Sequence, residues 1–287
     1  MVSPYVRRQR LATVLRTLRE ERGLMADELA KRIHYSRTKI SRLENAYGRP
    51  DVGDVVKILD VLEIPDEQYL SIVRLASAAS AKGWWDRYGD TMGARQRLYV
   101  DIESGATTIR EYNQSAMPGV LQTPDFIGAL INLTKAEGPL DFNPKKMTDA
   151  RLQRMESLFR PGGPTYEVVV DEVVIRRLTV PPEIMKAQLR HVIKTLDNEP
   201  QLTLRVLPLR AQLVGTLLPR ATFTLYTFPA AEDPPMAVVD TITADLVYTE
   251  PREVERYTRR YDYLSQAALS PDDSKRLLIE AAQEPSD

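Results

Sequence analysis

Hydrophobic positions recur at helical spacing through the first quarter of the chain. Leu11, Val14, Leu15 and Leu18 fall at i, i+3, i+4 and i+7, the apolar stripe of an amphipathic helix. Gly23 ends that helix, because glycine tolerates the left-handed geometry of a helix C-terminus. Leu29, Ala30 and Ile33 mark a second, shorter helix. Ser36 suits the N-cap of a third, whose inward residues are Ile40 and Leu43. Gly48 and Pro50 break the chain, and Asp51 can cap a fourth helix striped by Val55, Ile58, Leu59 and Leu62. Pro65 and Asp66 open a fifth, with Tyr69, Ile72, Val73 and Ala76 inward.

Beyond residue 76 the pattern changes. The stretch 77–83 (SAASAKG) is small and polar and serves as a domain boundary, separating residues 1–76 from residues 84–287. In the second part, residues 95–113 and 143–159 read as helices, and Thr123-Pro124-Asp125 as a capped helix start with proline at its first position. Residues 166–171 and 202–207 are rich in β-branched residues and read as strands, 222–228 alternates Phe223, Leu225 and Thr227 against Thr224, Tyr226 and Phe228 and reads as another, and 236–240 and 244–249 are shorter candidates. Helices are expected at 182–196, with Ile184, Leu189, Val192 and Ile193 inward, at 251–267, and from Ser270-Pro271-Asp272-Asp273 onward. The fold class is therefore an all-α five-helix domain followed by an α+β domain.

Charge sharpens this division. The net charge of −1 hides an excess of +7 in residues 1–50 and −8 in the remainder. A basic module on an acidic body suggests a polyanion partner for the module. There is no cysteine, which excludes disulfides, thiolate metal sites and a cysteine nucleophile. No apolar run approaches the roughly 20 residues that span a bilayer, and the first helix lacks the apolar core of a signal peptide. A cytoplasmic, nucleoid-associated location is expected.

The most informative combination lies in residues 12–62. Two helices joined by the three-residue turn 34–36, after a helix that ends in glycine, form a helix-turn-helix arrangement. Its third helix, within residues 36–44, offers Arg37, Thr38, Lys39, Ser41 and Arg42 outward. Arg37 and Arg42 can donate paired bonds to guanine in a major groove, and Thr38 can touch a thymine methyl or a phosphate. Lys39 and Arg49 can neutralise phosphates, which gives affinity without sequence information.

Residues 11–65, through LRTLREERGL, ELAKRI, SRTKISRLENAYGRP and VVKILDVLEIP, resemble the lambda-repressor-like, or XRE-type, helix-turn-helix family. The resemblance implies that Arg37, Thr38, Lys39 and Arg42 face base edges, and that Arg19 and Glu44 form an ion pair between the first and third helices. Three positions depart from the family pattern. Met25 and Ala26 stand where a capping residue and a glutamine are usual, and His34 stands where glycine is common. Residues 84–282, through GWWDRYGD, YVDIESGATTIREYN, MPGVLQTPDF, VVVDEVVIRR, MKAQLRHV, LRVLPLRAQ and the segment from LVYTEPREVERY onward, resemble the C-terminal domain of actinobacterial WhiJ-like regulators. That resemblance implies a regulatory or antitoxin-like module paired with a small acidic protein. Gln212 stands where the family often has histidine, and Val239-Asp240 where a tyrosine-glutamate pair is common.

Other chemistry is sparse. Two histidines, His34 and His191, are too few for a metal site, and no nucleophile elbow, zinc-protease motif or phosphate-cradling loop occurs. Asp171 and Glu172 are adjacent on an extended segment, where successive side chains diverge, so a turn or salt bridge suits them better than acid–base work. Trp84 and Trp85 suit packing, and residues 118–123 a structural turn in preference to a binding loop. The alternation of Arg256, Tyr257, Arg259, Arg260 and Tyr261 suits an amphipathic helix with solvent-facing arginines. The expectation is a homodimeric DNA-binding transcription regulator with no cofactor, no metal and no enzymatic activity. The alternative is a protein-interaction module on the same fold.

Overall fold

The computed structural model describes residues 2–140, 142–213, 218, 220–241 and 243–284, so the expected domain limits at 1 and 287 lie outside the described residues. The chain divides into two compact units. One comprises Met1–Asp86 with Asp101–Gly105 and Phe228–Pro234; the other comprises the remainder.

The first unit holds α1 (Pro4–Glu21), α2 (Ala26–Arg32), α3 (Arg37–Glu44), α4 (Val52–Val61) and α5 (Asp66–Ser80). Their apolar stripes meet in one core, in which Leu15, Leu29, Ile40, Val55, Ile58, Leu59 and Ala76 are almost wholly enclosed. The small-residue stretch 77–83 is helical as far as Ser80 and buries Ala79 completely. Small side chains there serve close packing of α5 on α1. Two aspartates outside these helices hold the basic start of α1. Asp101 accepts bonds from Ser3 Oγ (3.1 Å), the Tyr5 amide (2.8 Å) and Arg8 (3.0 Å). Asp233 lies 3.2 Å from Arg7 and 3.5 Å from Arg10. Carboxylates beside a helix N-terminus also favour its dipole. Part of the N-terminal charge excess is thus neutralised within the unit.

The second unit is built on a mixed six-stranded sheet in the order β3-β2-β1-β4-β5-β6. The strands are β1 (Thr108–Asn113), β2 (Thr165–Asp171), β3 (Leu202–Leu207), β4 (Phe223–Thr227), β5 (Met236–Val239) and β6 (Leu246–Tyr248). β1 runs parallel to β2, as β2 does to β3, while β4, β5 and β6 extend the sheet antiparallel. The α-helices that follow α5 are α6 (Ala94–Glu103), whose residues from Asp101 on belong to the first unit, α7 (Pro124–Glu137), α8 (Pro144–Leu158), α9 (Glu172–Arg176), α10 (Pro182–Asn198), α11 (Pro251–Ala267) and α12 (Pro271–Gln283). α11 covers one sheet face, placing Val254, Tyr261 and Leu264 against Tyr112, Val169, Phe223 and Val239. Among the described residues no helix is long and apolar enough to cross a membrane.

The reading of 95–113 as one helix is corrected. α6 ends at Glu103, and Gly105 lets the chain pass so close to Ser3 that a Cβ would lie 2.5 Å from its amide nitrogen. Residues 108–113 then form the strand between β2 and β4, where both ladders are satisfied. Helix-favouring Arg110 and Glu111 are overruled by pairing on both sides. Asp171 and Glu172 also have structural tasks: Asp171 caps α9, and Glu172 pairs with Arg176 at 2.9 Å while accepting the Leu209 amide.

Candidate nucleic-acid interface

α2 and α3 are joined by a turn that depends on His34. The residue adopts φ 56°, the left-handed conformation that favours glycine. This lets the Tyr35 amide donate back to the Ala30 carbonyl at 2.8 Å. Ser36 then caps α3, its Oγ accepting the Lys39 amide at 3.2 Å. At the start of α2, the Met25 side chain caps nothing. Glu28 compensates by accepting the Met25 amide at 2.8 Å.

The inner side of α3 is fixed in two ways. Ile40 is wholly buried in the core. At the C-terminal end, Arg19 grips Glu44 with a fork, Nε to Oε1 at 2.6 Å and Nη2 to Oε2 at 2.8 Å, and Arg19 also donates to the Leu24 carbonyl at 2.7 Å. Both side chains are under a tenth exposed. The bond to Glu44 pushes the Arg19 pKa up against the opposing effect of burial. Arg16 adds a second clamp, donating to the Glu44 carbonyl and to Asn45 Oδ1. Two arginines from α1 therefore meet the negative end of the α3 dipole.

The outer side presents Arg37, Thr38, Ser41 and Arg42, all exposed. The Arg37 side chain is 75% exposed and touches Asp27 at 3.2 Å, a contact that solvent weakens. Among the described residues no carboxylate pairs with Arg42. The other two basic candidates are more firmly held. Lys39 bends away to Asp54 at 2.7 Å, with its ammonium 3.8 Å from the centre of the Tyr35 ring. Tyr35 donates to Asp54 at 2.5 Å and accepts from Lys57 at 3.1 Å. Burial raises the pKa of the Asp54 carboxyl, but the bonds from Lys39 and Tyr35 outweigh it and hold the carboxyl below its ordinary range. Arg49 places Nη2 at 2.5 and 2.6 Å from the two oxygens of Asp86, which also accepts the Gly83 amide.

The structure thus brings Arg37, Thr38, Ser41 and Arg42 together on one exposed helix face. It turns Lys39 toward α4 and binds Arg49 to Asp86. Sequence patterns did not reveal Arg16, Tyr35, Asp27, Asp54 or Asp86, because each acts through a partner distant in the chain. Chemically, the α3 face is a row of hydrogen-bond donors and hydroxyls on a rigid helix, a composition that suits base edges and phosphates.

A family model described as a helix-turn-helix domain matches residues 10–70. A second, described as a domain of unknown function (DUF5753), matches residues 96–280. Comparisons with curated proteins and with solved structures found no match.

Proposed function

Since the chain belongs to the DUF5753 family, a domain of unknown function that covers more than half of it, we propose its function from the helix-turn-helix domain in front. In this reading the protein is a sequence-specific DNA-binding transcription regulator. Arg37, Thr38, Ser41 and Arg42 meet base edges and adjoining backbone, and Lys39 and Arg49 reach phosphates after leaving their carboxylates. The C-terminal domain dimerises the chain and receives a signal from a small protein partner or a ligand. No enzymatic step is part of the proposal. The WhiJ-like resemblance supports the regulatory reading and its acidic protein partner.

One observation carries the proposal. The donor-rich face of α3 is exposed while its opposite face is immobilised by Ile40 and the Arg19–Glu44 fork, and a rigid helix with a free polar face is what a major groove admits. A second reading, a protein-interaction module on the same fold, is favoured by the carboxylates that hold Arg37, Lys39 and Arg49. Gel shifts with genomic fragments across a salt series separate the two. The DNA reading predicts a few retained fragments and an affinity that falls by roughly 0.9 log units per phosphate contact for each tenfold rise in salt. No retention at about 50 mM salt favours the interaction module.

A further inference from the structure

On α8, Arg151 and Arg154 lie three residues apart, facing the turn Gly119–Leu121. An unusual number of polar side chains is buried there: Gln122, Arg154 and Gln188 are each under a tenth exposed. Most of them serve the turn itself. Gln188 donates to the Leu121 carbonyl at 2.6 Å and accepts the Thr123 amide at 2.7 Å. Gln122 donates to the Met117 carbonyl at 2.8 Å. Arg154 donates to Gln96 at 3.1 Å and lies over the Tyr99 ring.

Arg151 is not accounted for in this way. Its Nη1 donates to Gln122 Oε1 at 2.5 Å. Among the described residues no carboxylate pairs with it, and its Nε is sealed from solvent without a hydrogen-bond partner. Burial and then the charge of Arg154 push its pKa down, but only to about 10, so it remains a cation at neutral pH. A guanidinium has five donors, and among the described residues one neutral amide answers them. A cation taken out of water without a counter-charge is costly, and a neighbouring cation adds to the cost. The contrast with Arg19, which is forked onto Glu44, is direct. Arg151 keeps a partial opening to solvent.

We propose that Arg151, with Gln122 and the adjacent Arg154, binds the oxyanion of a small ligand, a carboxylate or a phosphate, that enters at the open side of Arg151. The site deepens the ligand-receiving part of the proposed function. It is testable without DNA, so its failure leaves the operator reading standing, and loss of operator binding leaves the site standing. The full-length protein is melted in rising inorganic phosphate, and separately in acetate, against chloride at matched ionic strength and neutral pH. The expected result is a saturable rise in Tm of a few degrees with at least one probe; the probe that acts identifies the class. Arg151→Leu is expected to abolish the rise without lowering Tm in chloride, since it removes an uncompensated charge. Gln122→Glu, which supplies a carboxylate from within, is also expected to abolish it and serves if Arg151→Leu does not fold. No saturable rise with either anion, or a rise that survives both substitutions, overturns the proposal.

Discussion

Removing the carboxylate of Glu44 tests the clamp that orients α3. Glu44→Ala leaves the Arg19 guanidinium under a tenth exposed, with two of its bonds lost and the Leu24 carbonyl as its remaining bond under 3 Å among the described residues. Breaking one side of a buried pair costs roughly 3–5 kcal/mol, because the surviving charge stays desolvated. Arg19 also has Glu20 at 3.5 Å, but that side chain is largely exposed and compensates little. The lower figure is therefore the better expectation, about 3 kcal/mol, a large share of the roughly 5–15 kcal/mol that holds a domain folded. Urea denaturation followed by circular dichroism gives the value for the wild type, Glu44→Ala, and the double variant Arg19→Met with Glu44→Leu. The double variant should recover most of the loss, since hydrophobic replacement of a whole buried pair is often neutral. A loss under about 1 kcal/mol for Glu44→Ala is what an exposed pair would give and would show that the Arg19–Glu44 fork is not a buried clamp.

Three further outcomes are expected. Asp54, whose carboxyl is held below its ordinary range, contributes stability that is present above the ordinary carboxylate pKa and lost as pH falls through its lowered value. Asp54→Asn should therefore flatten the acid limb of Tm against pH below about pH 4; an unchanged limb contradicts the network. His34→Gly relieves a left-handed backbone and should raise stability by up to about 1 kcal/mol in the same denaturation assay; a clear loss would show that the imidazole has a task of its own. Light scattering should find the full-length chain a homodimer at micromolar concentration, reading half-sites about 34–36 Å apart or a multiple of that; a monomer on a single half-site contradicts it.

The helices within residues 4–80 were legible because their information is local. Stripes at 3.6-residue spacing, Ser36 and Asp51 as caps, and Gly23 as a stop each act within a few residues. Strands β2 and β3 showed through β-branched runs, β4 through alternation, and β5 and β6 as shorter candidates, whereas β1 did not show. Its Arg110 and Glu111 look helical, and only pairing with β2 and β4 makes them a strand. The same distinction divides the site. The outward residues of α3 follow from helical spacing alone. The carboxylates that hold Lys39 and Arg49 follow from tertiary approach, with Asp86 lying 37 positions from Arg49. Nor did any pattern point to Gln188, a polar residue that is completely buried where α10 was expected to turn Ile184 inward. Likewise the basic N-terminus overstated the surface open to a polyanion, because Asp101 and Asp233 already occupy Arg7, Arg8 and Arg10.

If the exposed face of α3 reads sequence, the ratio of preferred to random DNA affinity depends on it. Fluorescence anisotropy at fixed salt gives this ratio for the wild type, Arg37→Ala and Lys39→Ala. One bidentate arginine–guanine contact contributes about 1–3 kcal/mol of discrimination, so Arg37→Ala should cut the ratio roughly 5- to 150-fold. Lys39→Ala should weaken both DNAs alike, leave the ratio unchanged, and reduce the salt slope by about one unit. A ratio that Arg37→Ala leaves untouched would contradict the assignment of α3 as the reading helix.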